Sequence, residues 1–401
     1  MKHPLRVGRQ VPGAGDVMLK RAILLLAAFA ALFICVRLTD VRALDAAPAV
    51  AQSIPDTLGL DTKAKAAVVL DAATGRVLFA KNANARLPMA STTKIMSTLL
   101  TLEQDGQDEW FTVDPDAIRV EGSSMGLRVG DRVTLSALAY GMMLPSGNDA
   151  ANAAAVRIAG SKEAFARMMN ERAAELGMED SHFVTPSGLD DNAHYSSAYD
   201  MALLTREALS NPRFAEICSQ KSAKVCFGNP PADRWLSNHN RLLKLYPDAA
   251  GVKTGFTDAA GRCLVSYAQR GGVRLIVVTL NCPDDWNEHI KLYEHYFGAL
   301  TQTAPGEMIP AADLPVTGGT QTYAAVTFEE PEPVALLPGE RLDVTVTAEP
   351  FLYAPVQAGD VVGHALFSVG GQPVADVTLT AADDVAAVKG KTPLFTRLFG
   401  G

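Results

Sequence analysis

The spacing of apolar and polar positions predicts most elements of this chain. Ala66-Ala67-Val68-Val69-Leu70 and Arg76-Val77-Leu78-Phe79-Ala80 flank the turn Asp71-Ala72-Ala73-Thr74-Gly75, which predicts a β-hairpin. After Pro88, a helix is expected to open at Ser91 and run to about Gln104, because Ile95, Met96, Leu99, Leu100 and Leu102 recur at helical spacing. Further helices are expected over 134–144, 148–158, 161–176 and 198–209. Arg262 to Ala268 and Val273 to Asn281 read as two strands joined at Gly271-Gly272, and a helix from about Pro283 to Leu300 follows. A hairpin first, helices in the middle and a hairpin last predict an α+β fold, an antiparallel sheet with helices packed on it.

Composition changes near residue 303. Pro305, Pro310, Pro315, Gly318 and Gly319 mark a boundary. Residues 320–388 are rich in Val and Thr, turn at Pro338-Gly339 and Gly370-Gly371, and show no strong helical period, which predicts a small all-β domain. The expected organisation is an N-terminal segment (1–51), a catalytic domain (52–302) entered through an Ala/Pro-rich linker near 44–62, a C-terminal β-rich domain (303–388) and a tail (389–401). In the tail, Leu394, Phe395, Leu398 and Phe399 would share one face of a short helix, a possible amphipathic contact with a membrane surface.

The N-terminus bears on the compartment. Lys20 and Arg21 precede the apolar run Ala22 to Val36, short for a membrane span and suited to a secretory signal. Met18 offers a second start. Cleavage after Ala43 or Ala51 fits the pattern, and an uncleaved anchor is the alternative. An extracytoplasmic protein is expected. The chain carries 36 Lys/Arg and 44 Asp/Glu, a net charge of −8. Excess negative charge repels phosphate, so no nucleic-acid partner is expected. Cys35 falls in the apolar run; Cys218, Cys226, Cys263 and Cys282 would remain after export, either as disulfides, with Cys218 and Cys226 nearest in sequence, or as buried thiols. No zinc-ligand spacing occurs, and neither a metal nor a cofactor is called for.

Candidate chemistry lies in three short segments. Ser91-Thr92-Thr93-Lys94, Ser146-Gly147-Asn148 and Lys253-Thr254-Gly255 occur in that order, their first residues 55 and 107 positions apart. A serine three residues before a lysine at a helix start places both side chains on one face. Ser91 is the candidate nucleophile and Lys94 its general base, provided the lysine is neutral; the helix N-terminus and Lys253 would both lower its pKa. Ser146 is a candidate proton relay. Asn148 would orient Lys94 and bond a substrate carbonyl. Lys253 and Thr254, on or beside an edge strand, suit a substrate carboxylate. Gly255 would let substrate backbone approach, and the backbone N–H groups of Ser91 and Phe256 are oxyanion-hole candidates. The triplets are those of penicillin-binding proteins and serine β-lactamases, with Ser-Gly-Asn in place of Ser-Asp-Asn. No G-x-S-x-G elbow is present, and His182, His194, His239, His289 and His295 have no motif partner.

Over about residues 60–300 the chain resembles the serine D-alanyl-D-alanine carboxypeptidases, the low-molecular-mass penicillin-binding proteins. The resemblance rests on Leu87 to Met96, Met143 to Ala151 and Gly251 to Thr257, with Gly188-Leu189-Asp190, His194-Tyr195-Ser196 and Asn240-Arg241-Leu242-Leu243. Gly359-Asp360-Val361-Val362-Gly363 extends it into the family's C-terminal β-domain. It implies a penicillin-binding/β-lactamase-like fold and removal of the terminal D-alanine from peptidoglycan pentapeptide stems through an acyl-enzyme. The implied partners are the stem peptide and β-lactams. It also implies an arginine, Arg241, near the substrate carboxylate. A class A β-lactamase would need a deacylating glutamate, and no E-x-x-L-N segment lies between Asn148 and Lys253. An endopeptidase would use the same chemistry. A non-catalytic sensor has no use for a proton relay.

Overall fold

The computed structural model describes residues 60–310 and 313–388. The expected export segment, Cys35 and the 389–401 tail lie outside the described residues. In chain order come β1 (Ala66–Asp71), β2 (Val77–Lys81), a 3-10 turn (Ala90–Thr93), α1 (Lys94–Leu102), β3 (Phe111–Thr112), β4 (Arg132–Val133), α2 (Leu135–Met143) and α3 (Asn148–Ala159). Next are α4 (Lys162–Glu175), α5 (Ala198–Ser210), α6 (Pro212–Ser219), β5 (Ser222–Gly228), β6 (Pro231–Ser237), α7 (Leu242–Leu245), β7 (Ala249–Thr257), β8 (Gly261–Arg270), β9 (Val273–Leu280) and α8 (Asp285–Ala299). The remainder is β: β10 (Thr301–Thr303), β11 (Leu314–Thr317), β12 (Tyr323–Ala324), β13 (Val326–Thr327), β14 (Val334–Leu336), β15 (Leu342–Ala348), β16 (Leu352–Tyr353), β17 (Val361–Val369) and β18 (Gln372–Ala381).

The helix boundaries follow local chemistry. Thr134, Ser161 and Ser197 each accept the amide three residues on and so cap α2, α4 and α5. Asn211 caps α6, with Pro212 in the first turn, where its missing N–H costs nothing. Apart from the helix expected to open at Ser91, which begins at Lys94, the expected helices and strands of the first 300 residues stand within one or two residues of their predicted ends. Not anticipated were the short strands β3 and β4, the helices α6 and α7, and the hairpin β5–β6, whose Ala223, Val225 and Phe227 alternate inward.

The central sheet is antiparallel, in the order β2-β1-β9-β8-β7. The α+β expectation is met: α8 lies against one face, its Leu292, Tyr293 and Tyr296 joining Val69, Leu275 and Val277 in one core. Within it His289 holds Ser266 Oγ at 2.6 Å and Thr279 Oγ1 at 2.9 Å. The sequence pattern predicts an amphipathic helix from Ser91. Instead the backbone makes a 3-10 turn before α1, and every residue of α1 is buried. Two of its hydroxyls are satisfied by backbone carbonyls: Ser97 Oγ donates to Pro186 O at 2.6 Å and Thr101 Oγ1 to Ser97 O at 2.7 Å, while buried Thr98 Oγ1 has no partner among the described residues.

Beyond residue 303, β13-β18-β17-β15 and β12-β11-β16 enclose a second core around Phe367, Ala365 and Val385. This β region is tied to the first core. β10 pairs with β14, and Ala335 and Leu337 are buried among α8-side residues. Buried Arg76 donates to Glu340 Oε1 at 2.5 Å and to Ala335 O at 2.6 Å. Arg76→Met should therefore lower stability by about 1.5–3 kcal/mol, the range for hydrogen bonds to charged groups, as read by denaturant unfolding. Unchanged stability would mean the contact carries nothing.

Candidate active site

Ser91 sits on a turn held from two sides. Ala90 adopts φ 49°, in the left-handed region. Thr92 Oγ1 donates to Met89 O and Thr93 Oγ1 to Ala90 O, each at 2.7 Å. Glycines let neighbouring segments close on the turn. A Cβ on Gly255 of β7 would stand 2.8 Å from Met89 O and 3.1 Å from Ser91 N. One on Gly188, at φ 82°, would stand 2.0 Å from Ala90 O. The need for glycine at 255 is thus the approach of β7 to the serine turn, where the sequence suggested room for substrate.

Lys94 is fully buried one turn later. Its Nζ lies 2.8 Å from Ser91 Oγ, 2.8 Å from Asn148 Oδ1 and 2.6 Å from Ser187 O. Asn148 Nδ2 donates to Glu121 O at 2.7 Å, which fixes the amide so that Oδ1 faces the lysine. Oδ1 and the Ser187 carbonyl can only accept. A neutral amine gives its two hydrogens to these acceptors and turns its lone pair to Ser91, the one partner with a proton to offer. Burial, then the charge of Lys253, pushes the Lys94 pKa well below the ordinary lysine value, against a smaller opposing pull from Asp149. The cause is chiefly desolvation, with the Lys253 charge second.

Ser146 follows α2 at φ 61° and is buried, and its hydroxyl makes no hydrogen bond among the described residues. Gly147 N donates to Gly141 O and Asn148 N to Ser123 O, both at 2.8 Å, fixing this loop. Asp149 was not singled out from sequence. Its buried carboxylate accepts from the amides of Met125, Gly126 and Leu127 and from Ser124 Oγ, at 2.6–3.0 Å. It anchors the 121–127 segment whose Glu121 carbonyl orients Asn148. An acidic residue in the first turn of α3 was the available signal.

Lys253 lies on β7, the edge of the sheet, opposite Val265, and is buried. Its Nζ donates to Thr254 O at 2.9 Å, and burial lowers its pKa to about 7. Thr254 is half-buried, while Phe256 is exposed beside Gly255 on the same strand. Arg241 is exposed at the N-terminus of α7, with no side-chain hydrogen bond or ion pair among the described residues. From the same segment, desolvation and then the charge of Lys253 lower the His239 pKa, and His239 N donates to Leu144 O at 3.1 Å. Cys218, Cys226, Cys263 and Cys282 are all free thiols; three are buried, as one sequence alternative had it, but Cys226 is exposed.

His194, without a motif partner in sequence, reaches the serine turn. Val184 N donates to its Nδ1 at 2.9 Å, so the ring proton is on Nε2, 2.8 Å from Thr93 Oγ1. Thr93 in turn donates to Ala90 O. Burial pushes the His194 pKa down to about 4.

A family model described as D-alanyl-D-alanine carboxypeptidase matches residues 49–284, more than half of the chain. The chain belongs to this family. It is a serine-type D-alanyl-D-alanine carboxypeptidase, a hydrolase of peptidoglycan metabolism in the penicillin-binding protein group. The penicillin-binding protein 5 C-terminal domain model matches residues 304–387. The D-alanyl-D-alanine carboxypeptidase DacF of Bacillus subtilis is 33% identical over 343 residues, 82% of this chain and 87% of that one. DacC of Escherichia coli is 34% identical over 356 residues, 80% and 84% of the two chains. The crystal structure of penicillin binding protein 5 from Haemophilus influenzae matches with a TM-score of 0.67 at 26% identity, covering 82% of this chain and 98% of that one. A stem-peptide substrate, β-lactam binding and an extracytoplasmic place of action fit the family.

His194→Ala should cut acylation about tenfold, and His194→Gln, which keeps one acceptor and one donor, should restore most of it. The pH dependence of stability carries a sign. His194 is neutral when folded down to about pH 4 but protonates near the ordinary histidine value of 6.5 when unfolded. Stability should fall as pH drops from about 6.5 to 4 and level below, with a shallower slope for His194→Gln in urea titrations. Equal slopes would remove His194 from the linkage.

Proposed function

We propose that Ser91 is the nucleophile and Lys94 its general base in removal of the terminal D-alanine from pentapeptide stems. The observation that carries this reading is the Lys94 amine, bonded to two obligate acceptors and 2.8 Å from Ser91 Oγ. Ser91 Oγ attacks the carbonyl of the penultimate D-alanine while its proton passes to Lys94 Nζ. The oxyanion is met by the N–H groups of Ser91 and Phe256. The Ser146 hydroxyl relays the proton to the leaving nitrogen, the C–N bond breaks, and D-alanine departs. Water attacks the ester, its proton passes to Lys94, and the Ser91 oxygen recovers a proton as the shortened stem leaves. A β-lactam enters by the same attack, but its amine leaving group stays tethered.

The substrate adds along β7, whose outer edge is unpaired within the sheet. Its terminal carboxylate lies at Lys253 and Thr254, with Asn148 on the peptide carbonyl. Arg241, exposed at the N-terminus of α7, is the arginine assigned to the neighbourhood of that carboxylate. The protein is exported through residues 1–51, divides near residues 302 and 388, and uses the β region as a spacer and the 389–401 tail as a contact with the membrane surface.

Ser91→Ala should abolish both D-alanine release and labelling by a fluorescent penicillin; full labelling would remove Ser91 from its role. Lys94→Arg should slow acylation by about a thousandfold, since guanidinium is no base. A loss of tenfold or less, about 1.4 kcal/mol of barrier, would contradict the base assignment.

Raising pH through about 7 removes the Lys253 charge from the free enzyme. For an acid-terminated peptide, kcat/KM should therefore decline above about pH 7. An amidated peptide should be a poor substrate and lack that decline. Equal profiles, with equal cleavage, would favour an endopeptidase.

A further inference from the structure

An open groove of about 630 Å³ runs between α2 and the β5–β6 hairpin, away from the serine turn. Two of the chain's three tryptophans, Trp110 and Trp235, line it. Trp235 is 71% exposed on the edge strand β6, opposite Lys224, so its indole is presented rather than packed. The guanidinium of Arg132 lies 5.7 Å from the Trp110 ring centroid. Between the indoles the lining is polar. Arg213 donates to Ser136 Oγ at 2.9 Å and Lys224 pairs with Asp233 at 2.9 Å.

Exposed aromatic faces set among hydrogen-bonding groups match an amphipathic ring that has an apolar face and an equatorial belt of hydroxyls and amides. They do not match an acyl chain, for which the charged lining is wrong. Resting on the carboxypeptidase reading, we infer that this groove binds the amino-sugar glycan strand, β-1,4-linked N-acetylhexosamines, to which the stem peptide is attached.

Chain connectivity supports this occupant. α2 contributes Ala137 and Tyr140 to the groove, while its Gly141 and the following Leu144 hold the Ser146 loop and His239 through their carbonyls. Trp235 precedes His239 by four residues, at most about 14 Å of extended chain at ~3.5 Å per residue. A stem of five residues spans up to about 17 Å on the same basis, longer than the chain between Trp235 and His239. Holding the glycan raises the effective concentration of its own stem at the serine without adding a contact there.

The test uses the full chain. A β-1,4 tetramer of N-acetylglucosamine should quench tryptophan emission saturably, and Trp235→Ala should remove most of the response. kcat/KM on glycan-linked pentapeptide should fall about tenfold in Trp235→Ala, with Trp110→Ala intermediate. On free pentapeptide both should stay within twofold of wild type. Equal loss on both substrates, or none on either, overturns the inference. So would an emission change on deleting residues 389–401 with no response to the sugar, which would give the groove to this chain's own tail. Failure of the wild type to release D-alanine from free peptide would sink the functional reading instead, and the glycan titration would still decide this one.

Discussion

A lysine stripped of water is the constraint on which this site depends. Holding the Lys94 ammonium in the interior would cost several kcal/mol even after relaxation, and no carboxylate bonds to it to offset that cost. The neutral amine avoids the cost, and its geometry then follows from valence: two hydrogens, two acceptors, one lone pair. Each acceptor is itself fixed. Glu121 O orients the Asn148 amide, Asp149 holds the segment that carries Glu121, and the close approach of Gly188 to Ala90 sets the Ser187 carbonyl. Misplacing any of them would return a proton, or a water, to Nζ.

Lys253 adds a second condition. Two buried lysines near one another resist simultaneous protonation, and their proton equilibria are shared. Among the described residues Lys253 Nζ has only a peptide carbonyl as hydrogen-bond partner, and its pKa is about 7. It lacks an anion, and the substrate's free carboxylate is one. Recognition and base activation are therefore linked through electrostatics rather than contact, since the cation that attracts the carboxylate also disfavours a proton on Lys94.

The sequence disclosed the three segments because each is short, local and made of residues whose chemistry is specific. Ser91 and Lys94 meet through one helical turn, and that needs no tertiary information. The α+β layers were legible for a similar reason: apolar period and cap residues such as Thr134, Ser161 and Ser197 act locally. What stayed hidden was long-range. His194 lies 101 residues from Thr93, and only the fold brings them within 2.8 Å. The full burial of α1 could not be read from its pattern either, because Ser97 and Thr101 look like a solvent face until Pro186 and the helix backbone are seen to satisfy them.

Backbone strain completes the argument. Ala90 and Ser146 both sit at positive φ, a conformation that costs a non-glycine residue of order 1–3 kcal/mol and persists only where the surroundings over-determine it. Both flank the chemistry, one before the nucleophile and one within the Ser146 loop. Glycine would relieve either strain but would also let the turn relax. The Cβ of Ala90 instead packs near Gly255, while Thr93, held by neutral His194, grips the Ala90 carbonyl. The strained turn is thus locked on three sides by β7, by Gly188 and by the His194–Thr93 relay. Removing one lock leaves the other two opposing relaxation, which is why a change at His194 should weaken the geometry of Ser91 without unfolding the turn.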